Sequence, residues 1–171
     1  MSKPRLLDLF CKAGGTSMGY YRAGFDITGV DIKPQKRYPF RFILGDALEY
    51  LEAHWREYDV IVASPPCQGY SLLAYRTKKE YPKLIGQLRG ILLSIDRPYV
   101  IENVPKAPLI NPIMLCGTMF NLRVIRHRAF ESNLSLAGLP HQIKHPLVFT
   151  MDKRKNHYNK LDEWQSFVQV T

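Results

Sequence analysis

Two side chains in this sequence could do covalent chemistry together: the thiol of Cys67 and the carboxyl group of Glu102. Cys67 sits in Pro65-Pro66-Cys67-Gln68, after the apolar run Val60-Ile61-Val62-Ala63. That run reads as a buried strand, and two prolines stiffen the turn that follows it. A cysteine displayed on a stiff turn suits a nucleophile, although an arbitrary cysteine is more often core filler. Glu102 follows Tyr99-Val100-Ile101, the end of another buried strand. An acid there is costly unless it is paired or used. A thiol and a carboxyl group on neighbouring strand ends suggest nucleophilic catalysis with proton-assisted activation.

The elements that must position them alternate. Arg5 to Phe10 reads as a first strand, Gly14-Gly15 opens a helix over Thr16–Ala23, and Gly24 ends it. Strands follow over Ile27–Ile32, Arg41–Leu44 and Asp59–Ala63, with a helix at Ala47–His54 after the third strand. A loop rich in basic residues leads to a helix from Tyr81 to Ile95, and Pro98 to Val104 is the fifth strand. Strands alternating with helices imply an α/β fold with a doubly wound, mostly parallel sheet. Pro105, Pro108 and Pro112 argue for an irregular connection, and Arg126 to Glu131 reads as a further strand. Residues 1–131 are expected to form the core and 132–171 an irregular tail. His141, His145 and His157 lie in that tail, where Pro140 and Pro146 spoil a helical pairing, so no metal site is expected.

In an open sheet of this kind, ligands bind beyond the carboxyl ends of the strands. The expected strand ends carry, in order, Phe10 with Gly14-Gly15, then Asp31, Asp46, Cys67, and Glu102 with Asn103. The glycine turn lets a ligand approach the backbone closely. Asp31 is placed to accept hydrogen bonds from ribose hydroxyls. Asp46 either accepts from an adenine amino group or caps the helix beginning at Ala47, and the two roles are compatible. Together these features describe a site for a nucleoside-bearing cofactor.

The bulk properties fit one domain. The chain has 171 residues, 46% hydrophobic and 23% charged, with a formal charge of +9 and a pI near 9.5. This surplus points to a polyanionic partner, most simply nucleic acid. Three dispersed cysteines without a C-x-x-C pair argue against a disulfide framework. No signal-like or membrane-length apolar run is present in the sequence, so a cytoplasmic protein with no membrane partner is expected.

The chain resembles the cytosine-C5 DNA methyltransferases. The resemblance rests on Asp8-Leu9-Phe10 with Gly14-Gly15, Val30-Asp31, Gly45-Asp46, Pro65-Pro66-Cys67-Gln68 with Ser71, Glu102-Asn103-Val104 and Arg126-His127-Arg128, in the family's order over Arg5 to Ser132. It implies the Rossmann-like fold of S-adenosylmethionine-dependent methyltransferases, and DNA as substrate. Phe10 would then stack on the adenine, Asp31 hold the ribose and Asp46 the adenine amino group. Gly14, Gly15, Ile32, Ala47 and Pro65 would complete the S-adenosylmethionine site. Cys67 would attack C6 of a flipped cytosine, and Glu102 would hydrogen-bond its N3/N4 edge. Arg128, with Arg126, would reach the base or the cysteine loop; the alternative for this pair is an exposed strand face. Gln68, Ser71, Arg76, Lys78 and Lys79 would meet the DNA from a loop that closes over it. The compact size is similar to that of phage- or prophage-type members, in a restriction-modification setting.

Two departures from the family pattern carry expectations of their own. Lys12 stands where the family usually has glycine, which would strain the turn or crowd the methionine portion of the cofactor. The family's C-terminal return motif is not found before Thr171, so a partner chain or a further C-terminal segment would complete the pocket. Alternatively, residues 134–171 form a minimal recognition element with Lys153-Arg154-Lys155 on the DNA backbone. The sequence leaves two rival readings open. One is a non-catalytic DNA-binding or regulatory module; the other is the same chemistry on RNA or a free cytosine nucleotide.

Overall fold

A computed structural model of the chain describes residues 2–70, 80–122 and 124–135. Ser71, Arg76, Lys78 and Lys79, together with the tail beyond residue 135, lie outside the described residues. The described chain runs β1 (Arg5–Leu9), α1 (Gly15–Arg22), β2 (Asp26–Asp31), β3 (Arg41–Leu44), α2 (Ala47–His54), β4 (Val60–Ala63), α3 (Ile85–Ser94), β5 (Tyr99–Asn103), β6 (Ile113–Cys116) and β7 (His127–Ser132). The seven strands form one sheet in the order β3-β2-β1-β4-β5-β7-β6. The first five run parallel to one another. β7 runs antiparallel to β5, and β6 antiparallel to β7.

The central strand β1 is buried on both faces, so its residues after Arg5 read as an almost continuous apolar run. One face packs α2 and α3 through Leu48, Leu51, Leu88 and Leu92 against Leu7, Leu9, Ile61 and Ile101. The other face packs Tyr20 of α1, with Phe25 and Phe40, against Leu6, Ile27 and Val62. Helices therefore cover both faces, as the alternating pattern predicts. α1 follows the left-handed N-cap Gly14 and ends in a Schellman turn: Gly24 has φ 100°, its N–H donates to the Tyr21 carbonyl, and that of Phe25 to the Tyr20 carbonyl.

Two expectations need correction. The helix expected from Tyr81 begins only at Ile85. Pro82 keeps Tyr81 out of the helical region, and Leu84 supplies no capping side chain. The stretch after Pro112 is not all irregular: Ile113-Met114-Leu115-Cys116 pairs with β7 as the edge strand β6. A four-residue strand carries too little pattern to stand out behind three prolines.

The antiparallel side of the sheet is fastened by a buried ion pair. Arg89 of α3 meets Glu131 of β7 with two hydrogen bonds of 2.7 Å. The same guanidinium donates to the Pro108 carbonyl, and Glu131 also accepts the Ile110 N–H, each at 2.7 Å. One carboxylate thus joins α3, β7 and the proline-rich connection. Among the described residues no helix is long and apolar enough to cross a membrane. Glu131→Ala, which strands the Arg89 charge and the Ile110 N–H, is expected to cost roughly 3–5 kcal/mol, read as a lower urea midpoint at unchanged slope.

Candidate active site

The turn after β1 is built from unusual backbone. Phe10, Lys12 and Gly14 have φ of 60°, 49° and 86°, so every second residue is left-handed. Such a conformation is free for glycine but costs a side-chain-bearing residue about 1–2 kcal/mol. The strain that a lysine brings to this turn is therefore real. External contacts hold the turn in place. Cys11 N–H donates to the Val30 carbonyl at 3.2 Å, and Lys12 N–H donates to Asp31 Oδ2 at 3.0 Å.

Asp31 ends β2 and is only 8% exposed. Its Oδ1 accepts the Lys33 N–H at 2.9 Å, and its carbonyl accepts the Gly45 N–H at 3.1 Å. It ties three strand ends together. Each carboxylate oxygen keeps a second lone pair for a ligand. Ile32 beside it is 68% exposed, an apolar surface next to a buried acid. Asp46 caps α2: its Oδ1 accepts the Leu48 N–H at 2.8 Å and the Glu49 N–H at 3.1 Å. The capping role of Asp46 is thus realised, and Oδ2 stays available. Ala47 starts α2 behind it.

Beneath the turn lies a buried polar chain that the sequence pattern does not single out. Asp8, 1% exposed in the middle of β1, accepts a hydrogen bond from the fully buried Ser17 hydroxyl of α1. Ser17 Oγ lies 2.8 Å from the Tyr38 hydroxyl. Asp8 Oδ1 has no hydrogen-bond partner among the described residues. Burial pushes the Asp8 carboxyl up to about 6; the Ser17 hydrogen bond opposes this and the Asp31 charge adds to it. Burial, aided by the charges of Asp8 and Asp31, pushes the Cys11 thiol up to about 12, which removes Cys11 as a nucleophile. An acid inside an apolar central strand is the one sequence signal that a partner such as Ser17 had to exist.

Cys67 and Glu102 leave the same edge of the sheet. Ala63 of β4 pairs with Ile101 of β5, so the Pro65–Gln68 turn and Glu102 emerge side by side. Asn103, 1% exposed, fastens the two. Its side-chain amide donates to the Pro65 carbonyl at 3.0 Å, and its Oδ1 accepts the Val104 N–H at 2.9 Å. Glu102 Oε1 pairs with Arg128 Nε at 2.6 Å, and both side chains are about a quarter exposed. Arg128 therefore meets the acid, and Arg126 is exposed just ahead of β7. Cys67 is half-buried, whereas Cys11 and Cys116 are buried. Gln68 opens a short 3-10 turn to Tyr70, whose N–H donates to the Cys67 carbonyl at 3.0 Å. Tyr70 faces α3, where its hydroxyl lies 3.5 Å from the Ile85 nitrogen.

A family model for C-5 cytosine-specific DNA methylases matches residues 4–107. The Type II methyltransferase M.XorII of Xanthomonas oryzae pv. oryzae is 31% identical over 122 residues, covering 61% of this chain and 29% of that protein. The Type II methyltransferase M1.HphI of Haemophilus parahaemolyticus is 32% identical over 119 residues, covering 58% of this chain and 32% of that protein. The chain thus matches about a third of the length of these relatives. In three dimensions the Dnmt2 methyltransferase of S. pombe shares the fold, with a TM-score of 0.55 at 17% identity over 81% of this chain and 52% of that one.

Lys12→Gly is expected to raise stability by about 0.5–1 kcal/mol, the relieved strain less the entropy that glycine adds to the unfolded chain. A denaturant titration of the unliganded protein checks this. Asp8 makes a second, pH-dependent prediction. Its folded value near 6 lies above the ordinary 3.8, so the folded chain holds the proton longer than the unfolded one. Stability should fall as pH rises from about 4 to about 6, by on the order of 3 kcal/mol. Asp8→Asn should remove that slope, as measured by urea unfolding at pH 4.5 and 7.

Proposed function

The chain belongs to the C-5 cytosine-specific DNA methylase family, and from that premise we propose that it methylates C5 of cytosine in DNA with S-adenosylmethionine as donor. The observation that carries the reading is the pair of adjacent strand ends bearing Cys67 and Glu102, held together by the buried Asn103 amide. A nucleophile and an acid fixed side by side are what addition to a cytosine ring requires.

The residues at the other strand ends fit a nucleoside-bearing donor. Asp31 keeps acceptor capacity for ribose hydroxyls. Ile32 offers an apolar face, and Phe10, partly buried at the end of β1, offers an aromatic one. Asp46 Oδ2 can accept from an amino group. Gly14, Gly15, Ala47 and Pro65 form the surrounding backbone. When bound, the donor's sulfonium supplies an electrophilic methyl group.

The chemistry divides among the chain's own side chains as follows. The target base leaves the duplex to reach them. Cys67, as the thiolate, adds to C6. The electron pair released toward N3 takes up a proton carried on Glu102 Oε2, while Arg128 holds Oε1. C5 becomes nucleophilic and takes the methyl group. Water takes the C5 proton, the C5–H electron pair forms the C5=C6 double bond and expels Cys67 as the thiolate, and the proton on N3 returns to Glu102. Gln68, Ser71, Arg76, Lys78 and Lys79 are proposed to contact the DNA, and so is Arg126, exposed just ahead of β7. A cytoplasmic setting fits this substrate.

The test is covalent trapping. The full chain is incubated with S-adenosylmethionine and a long duplex in which 5-fluorocytosine replaces cytosine, then resolved under denaturing conditions. A protein–DNA adduct is expected with wild type and none with Cys67→Ala. Absence of both adduct and methyl transfer in wild type would sink the proposal. Methylation of RNA with the duplex untouched would reassign the substrate.

A further inference from the structure

We infer that Tyr38 is a positioning residue for the donor site: it holds the Phe10–Gly15 turn and the start of α1 in the shape that receives S-adenosylmethionine. The inference rests on the donor proposed above, and its evidence is geometric. Tyr38 comes from the segment between β2 and β3, yet it reaches the turn after β1, β2 itself and α1. Its ring lies against Gly14, where an added Cβ would stand 3.0 Å from Tyr38 Cε2. Its hydroxyl fills the space over Gly29, where a Cβ would collide with it and would lie 2.8 Å from Cys11 Sγ. Glycine in the middle of a strand is destabilising, so Gly29 marks a place where something must approach the backbone. That something is Tyr38.

Two aromatic neighbours hold the ring in place. Phe40 meets it edge-to-face with centroids 5.8 Å apart, and Phe42 lies at 5.6 Å. The hydroxyl completes the chain to Ser17 and Asp8. With Asp8 ionised, Ser17 gives its only hydrogen to the carboxylate, which leaves Ser17 Oγ and Cys11 Sγ as the acceptors within reach of the Tyr38 O–H. The same segment begins at Asp31 and Lys33, which are joined by a hydrogen bond. Tyr38 therefore couples the residues proposed to hold the ribose to the left-handed turn beside them. Three positive φ values within five residues have no local propensity to sustain them, so the support must come from outside the turn.

The experiment compares calorimetric affinity for S-adenosylhomocysteine with the unliganded thermal midpoint. Tyr38→Phe keeps the ring and removes the bridge; it is expected to weaken binding about 5- to 20-fold. Ser17→Ala cuts the same bridge from its other end and should lose a similar factor, with the double variant no weaker than either single one. Tyr50→Phe is the control. It removes a Tyr–Tyr hydroxyl contact of 3.0 Å with Tyr58 in the other packing layer, and should lower the midpoint comparably without changing affinity. Wild-type affinity in Tyr38→Phe, or an equal loss in Tyr50→Phe, overturns the inference alone. Wild-type protein that binds no S-adenosylhomocysteine overturns the donor reading, and this inference with it.

Discussion

The Asn103 side chain is the contact on which the candidate chemistry depends. Two loops that leave adjacent parallel strands share no ladder hydrogen bonds once the strands end. Without a cross-link they would drift independently, and a nucleophile misplaced by an ångström loses much of its rate. Asn103 supplies that link from a fully buried position, with its amide on the Pro65 carbonyl and its Oδ1 on the next backbone N–H. The prolines then transmit the constraint, because their fixed φ values leave little freedom between Pro65 and Cys67. Arg128 extends the network from the neighbouring strand β7 by taking one oxygen of Glu102. The thiol and the carboxyl group are thus held by neighbours that do not themselves react.

The donor side follows a different logic. There the backbone is strained, and the strain is balanced by polar groups buried beneath it. Asp31 pins the turn from one side, and Tyr38 with Ser17 and Asp8 supports it from the other. Asp8 is the costly member of this set, with one oxygen unsatisfied among the described residues and its carboxyl pushed up to about 6 by burial. Keeping an uncompensated acid in the central strand exchanges stability for shape, a pattern expected where function rather than packing selects the residue.

Much of this was legible in the residues. The parallel alternation, the edge at which Cys67 and Glu102 meet, and the caps at Gly14 and Asp46 all follow from local rules, because strand periodicity and capping chemistry are local. What escaped notice was non-local. Tyr38 looks like an ordinary loop aromatic until the space over Gly29 is known, and Ser17 looks like a solvent-facing helix residue until Asp8 is seen below it. β6 was hidden for a related reason. Its four residues become a strand only because β7 offers them an edge. Pro82 alone excludes Tyr81 from α3, but the further delay to Ile85 has no signal in the sequence.

The reversed direction of β7 has a consequence for where the chain goes next. β7 starts beside Asn103, on the edge that carries Cys67, and ends with Ser132 opposite Val100, at the beginning of β5. Asn133 then anchors the exit there, its side chain accepting the Tyr99 N–H and donating to the Arg97 carbonyl. The polypeptide therefore departs from the floor of the sheet, on the side away from the proposed chemistry. Six residues of β7 span about 20 Å. That height separates the exit at Asn133 from the edge that carries Cys67, whereas Tyr70 stays beside the cysteine with its N–H on the Cys67 carbonyl.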